Sequence, residues 1–200
     1  MITRDEIFRE FWQNLTTKEA TNVFHVTKRK IKELLGFDLT TYQGGFYILS
    51  PKIDLRYDTA LFREYVQRAG VAPDNEAAEL LYNALELYHG VFLAPIQAAW
   101  AQTRREELTS LYIDALIALA RICERDDEKL QALGFYQRAN YLHPLREDAI
   151  RGLMTIHAQL GRSAEAMNIY KMLADRLAHK LKVLPDPTTT ALAEHIRESG

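Results

Sequence analysis

The chain has 200 residues, with 25 basic and 27 acidic side chains and a formal net charge of −2. A content of 48% hydrophobic and 26% charged residues suits a globular core and excludes the disordered, collagen-like and low-complexity classes. The lone cysteine, Cys123, excludes an internal disulfide and a thiolate metal cage. No apolar run approaches the ~18 residues of a membrane span, so no membrane partner is expected. The N-terminal residues lack the apolar core of a signal peptide, and a cytoplasmic location follows.

Thr3-Arg4-Asp5-Glu6 is a capping-box signature. It starts a short helix over 3–13 with Ile7, Phe8, Phe11 and Trp12 on one face. A second signature, Thr16-Thr17-Lys18-Glu19, starts a helix that runs to Leu35 and stops at Gly36. The short link between the two helices has helix-turn-helix spacing.

The second helix divides by face. Ala20, Phe24, Thr27, Ile31 and Leu34/Leu35 recur at three- and four-residue steps as an inner stripe. Lys18, Asn22, His25, Arg29 and Lys32 recur at the same steps on the opposite side. Residues 16–36 carry five basic and two acidic side chains, whereas residues 51–200 carry 18 basic and 21 acidic ones. Such a basic row suits a solvated helix face. It equally suits DNA, where Asn and Arg are the bidentate base readers and Lys holds phosphates.

Residues 37–42 and 46–49 read as strands joined by a turn at Gln43-Gly44-Gly45, a wing beside the helices. The glycines are not a phosphate loop, because no Gly-Lys-Ser/Thr follows. After Pro51 the pattern is helical throughout. Helices are expected over 59–69 with Asp58 as cap, 76–88, 98–124, 126–142, 145–160, 162–181 and 188–197. Ala132, Leu133, Tyr136 and Ala139 lie 34 residues before Ala166, Met167, Tyr170 and Leu173, which is the tetratricopeptide period. Such helical repeats bind partners and rarely carry chemistry.

No enzyme motif stands in the chain. Six histidines are scattered without a His-x-x-x-His pair, and nothing beside Cys123 suggests an activated thiol. Asp126-Asp127-Glu128 fits a helix start better than a metal cluster. Neither a catalytic role, a metal nor a cofactor is expected. The apolar stretch Tyr88–Leu93 with Trp100 fits local core packing, and a small-ligand pocket there would require a cavity.

Taken in order, these segments resemble a known architecture. Thr3–Trp12, Asn22–Gly36 and Gly44–Tyr47 resemble the later part of a response-regulator-type winged helix. Asp58 and Phe62, Leu87–Leu93, Trp100 with Arg104/Arg105 and Leu108, His143–Glu147, Gly161, Ala164–Ala166 with Tyr170, and Leu181–Pro187 resemble the bacterial transcriptional activation domain. Together they resemble the antibiotic-regulatory-protein family of bacterial transcriptional activators.

The resemblance implies a mostly α protein. Residues 1–50 would be a partial winged helix-turn-helix with a β-hairpin wing, lacking the N-terminal sheet and first helix of that class. Residues 51–200 would be an α-helical, tetratricopeptide-like activation domain. It also implies an activator whose winged helix binds promoter repeats in double-stranded DNA. Its helical domain would support a homodimer and contact RNA polymerase. Asn22, His25, Arg29 and Lys32 would reach the major groove, Lys18 and Lys30 would hold phosphates, and Thr41, Tyr42 and Gln43 would form the wing at the adjacent minor groove. Lys28 stands where the family has an apolar residue, and could snorkel to a phosphate. The rival reading is a protein-interaction module with a vestigial DNA-binding half.

Overall fold

The computed structural model describes residues 1–199. The chain forms two compact units, Met1–Arg56 and the segment from Tyr57 onward.

The first unit contains β1 (Ile2–Thr3), α1 (Arg4–Phe11), α2 (Thr17–Leu35), β2 (Thr40–Gln43) and β3 (Phe46–Leu49). Both expected capping boxes form. Thr3 N donates to Glu6 at 2.7 Å and Thr16 N to Glu19 at 2.9 Å, and each threonine hydroxyl oxygen accepts the amide of its glutamate. Gly36 ends α2 at φ +80°, a left-handed position that a side chain would strain.

Gly44 and Gly45 both have positive φ, +59° and +89°, as a two-residue hairpin turn requires. The hairpin pairs Thr41 with Ile48 and Tyr42 with Tyr47. Its first strand is Thr40–Gln43 rather than 37–42, because Gly36-Phe37-Asp38 is still turning out of α2. The sequence reading missed β1, whose Ile2 and Thr3 pair antiparallel with Tyr47 and Phe46. The sheet order is therefore β1-β3-β2. Two residues are too short to show a strand period.

Phe8, Ala20 and Phe24 form the buried centre of this unit, with Ile7, Trp12 and Tyr47 packed around them. The ring of Phe24 lies 4.9 Å from Tyr47, 6.0 Å from Phe8 and 6.3 Å from Trp12. Edge-on aromatic contacts of this kind add ~0.5–1.5 kcal/mol each beyond burial. The expected inner stripe of α2 holds at Ala20 and Phe24 and fails at its end. Leu34 is 85% exposed and Leu35 46% exposed. Neither belongs to the aromatic cluster around Phe24.

The second unit is helical: α3 (Asp58–Ala69), α4 (Asp74–Leu87), α5 (Ala99–Arg125), α6 (Lys129–Leu142), α7 (Glu147–Gln159), α8 (Ser163–Lys180) and α9 (Pro187–Ser199). Successive helices pack as α3 on α4, α5 on α6 and α7 on α8, and α9 covers the last pair. The 34-residue echo falls on the packing positions. Ala132, Tyr136 and Ala139 of α6 are buried, as are Ala166 and Leu173 of α8, while Met167 and Tyr170 pack partly buried against the last core cluster. Small residues let paired helices close up while an aromatic fills the gap between neighbours.

Two expected helix starts move. Tyr57, not Asp58, is the N-cap of α3, and Asp58 instead accepts the Thr59 amide from the first turn. Asp126–Glu128 is the turn between α5 and α6, with Asp127 at φ +59° and its carboxylate 2.9 Å from Lys129.

Tyr88 stacks on Tyr112 at 3.9 Å and Phe92 packs against the same core, whereas Val91 and Leu93 are exposed, so the stretch is only in part core packing. The same stretch, Tyr88–Leu93, lines a surface cleft of about 410 Å³ with Tyr57 and Phe62. The 89–98 connection is fastened by Arg105, which donates to the carbonyls of Phe92 (2.8 Å), Leu93 (3.1 Å) and Ile96.

Candidate nucleic-acid interface

Helix α2 carries the site, and its polarity is set by packing. Phe24 and Ala20 anchor one side in the aromatic core. At about 100° per residue, Lys18, Asn22, His25, Arg29 and Lys32 then fall within roughly 80° of arc on the other side. All five are exposed. The structure thus brings these five together along about four turns.

Lys30 is exposed as well but stands about 100° around the helix from Arg29, on the flank of the row. Lys28 is half-buried, with its ammonium 5.4 Å above the Tyr47 ring. That cation–π placement fills the apolar position by covering an aromatic face with the lysine stem.

Two cations of the row have carboxylate partners. Arg29 lies 3.6 Å from Glu33 and Lys32 lies 2.7 Å from Asp38. The Lys32 ammonium beside Asp38 holds its carboxyl below the usual range. All four side chains are about half exposed or more, so these pairs contribute little and exchange readily for other anions. Arg29 and Glu33 have the i,i+4 spacing of a helix pair, whereas Lys32–Asp38 crosses the Gly36 turn.

The wing residues do not act as one group. Alternation along β2 puts Tyr42 on the face of Tyr47, 4.9 Å away, with Thr41 and Gln43 on the other face. Tyr42 is 62% exposed, Gln43 is exposed, and Thr41 is half-buried. Thr41 also lines a cleft of about 730 Å³ with Lys32, Ser50 and Lys52.

No helix among the described residues is long and apolar enough to cross a membrane.

Comparison with known proteins places residues 57–197 in a family. The chain is 24% identical to the regulatory protein AfsR of Streptomyces coelicolor over 201 aligned residues, covering 98% of this chain and 20% of AfsR. Its fold is similar to that of Mycobacterium tuberculosis EmbR, solved in complex with a low-affinity phosphopeptide, with a TM-score of 0.79 at 21% identity. That likeness covers 99% of this chain and 55% of EmbR. The chain thus spans about one fifth of AfsR and about half of EmbR. Residues 57–197 match the bacterial transcriptional activator domain, and since this is well over half of the 200 residues, the chain belongs to that family.

Proposed function

We propose that this chain is a transcriptional regulator of the antibiotic-regulatory-protein type that binds double-stranded DNA through α2 and activates transcription through its helical unit. Residues 1–50 form the DNA-binding domain and residues 51–200 the activation domain. Asn22, His25, Arg29 and Lys32 enter the major groove, and Lys18 and Lys30 hold the flanking phosphates. The exposed Tyr42 and Gln43 lead the wing toward the minor groove, with Thr41 behind them. The helical unit supports dimerisation and polymerase contact.

The observation that carries this reading is the one-sidedness of α2. Its apolar side is held by Phe8, Trp12 and Tyr47, while an unobstructed row of donors runs along the rest. A recognition helix needs that combination of a fixed back and a free, hydrogen-bonding front. The carboxylates of Glu33 and Asp38 are surface partners that phosphates or base edges replace at little cost.

Two substitutions test it. Arg29→Ala removes a base reader and should cost ~1–3 kcal/mol while relaxing preference at one base pair. Lys30→Ala removes a phosphate contact and should weaken all sequences alike and lower the salt slope by about one. Unchanged binding in both variants rejects α2 as the reader and leaves the helical unit as a protein-interaction module.

A further inference from the structure

The exposed edge of the α2 row, on the side toward Lys30, is not wholly polar. Val26 is 44% exposed and lies outside the aromatic core of its unit. It stands one turn after Asn22 and one turn before Arg29 and Lys30; along the axis it lies between the two side chains best suited to reading bases, and around the helix it sits about 40° to one side of Asn22 and about 60° from Arg29. A β-branched residue on a solvated helix face is a poor helix former with nothing to pack on. On a face that approaches bases it has a use. Its two methyls are fixed by a stiff χ1, and the major groove offers one apolar group, the thymine 5-methyl.

We propose that Val26 is a specificity-determining residue that packs on a thymine 5-methyl between the bases read by Asn22 and Arg29. This rests on the DNA-reading role of α2. The seven residue steps from Asn22 to Arg29 rise about 10.5 Å, roughly three base-pair steps, so the thymine falls inside that interval.

The test compares methyl groups on both molecules. Duplexes bound by the full chain are recovered from a randomised library, and each thymine in the recovered sequence is replaced singly by deoxyuridine, which lacks only the methyl. The expected result is one thymine per half-site whose replacement weakens binding about fourfold, the factor that burial of one methyl carries. Val26→Ala should bind the thymine and deoxyuridine duplexes equally, with its helix content unchanged by circular dichroism. Val26→Thr, which keeps one methyl, should retain part of the difference.

If Val26→Ala still discriminates at that thymine, or if no thymine shows a penalty, the methyl contact is wrong while DNA reading stands. If no duplex is recovered at any salt concentration, both are overturned.

Discussion

Gly152 lies in the middle of α7, where glycine is an expensive choice. Replacing a helix-interior glycine by alanine ordinarily stabilises by ~0.8–1 kcal/mol. Here the sign should reverse. A Cβ at Gly152 would stand 2.2 Å from Cζ of Tyr136 and 2.4 and 2.5 Å from its Cε atoms. Ordinary carbon contact is about 3.5–4.0 Å, so ring and helix must separate by more than ~1 Å. Tyr136 cannot yield freely. It is 2% exposed, and its hydroxyl donates to Glu124 at 2.5 Å. Overpacking of this kind costs ~1–3 kcal/mol, and the severity of the clash puts Gly152→Ala at ~3 kcal/mol net loss. At ~2–4 °C per kcal/mol, Tm should fall by about 6–12 °C in thermal unfolding followed by circular dichroism. Tyr136→Leu in the same background should recover part of the loss, because the smaller side chain vacates the space. A Gly152→Ala variant as stable as the parent, or more so, would refute the close approach of α6 and α7.

Other consequences are equally direct. Arg105→Met removes the donor to three loop carbonyls, and should lower stability by ~2–3 kcal/mol and open residues 91–97 to limited proteolysis; an unchanged digestion pattern would show that the loop holds itself. Arg146 beside Asp148 holds that carboxyl below its usual range. A depressed pKa means stability that is complete above the unfolded carboxylate value near 4 and lost as pH falls through the folded value. Urea unfolding between pH 7 and pH 3 should therefore show a shallower loss in Asp148→Asn than in the parent, and parallel curves would contradict the linkage.

What the sequence made legible was local chemistry. The threonine–glutamate capping boxes, Gly36 and the Gly44-Gly45 turn each satisfy a backbone requirement within a few residues, so α1, α2 and the wing could be read directly. The exposed row of α2 follows from helical period alone. The misses involve distance along the chain. Leu34 and Leu35 share the inner period but extend past the core that Phe24 enters, and only the packed unit shows where that core stops. Lys28 breaks the apolar pattern, yet its stem finds Tyr47 across the hairpin. The Lys32–Asp38 and Arg105–carbonyl contacts join residues that no spacing rule connects. Gly152 reads as a flaw in a helix until the Tyr136 ring is placed against it.

The most direct test of the account is a titration of the whole chain on a random-sequence duplex, repeated across salt concentrations. With Lys18 and Lys30 on phosphates, log K should fall linearly with log salt at a slope of about −2 per bound chain. Binding that does not respond to salt, or no binding even at low salt, would contradict the assignment of α2 as a DNA-reading helix.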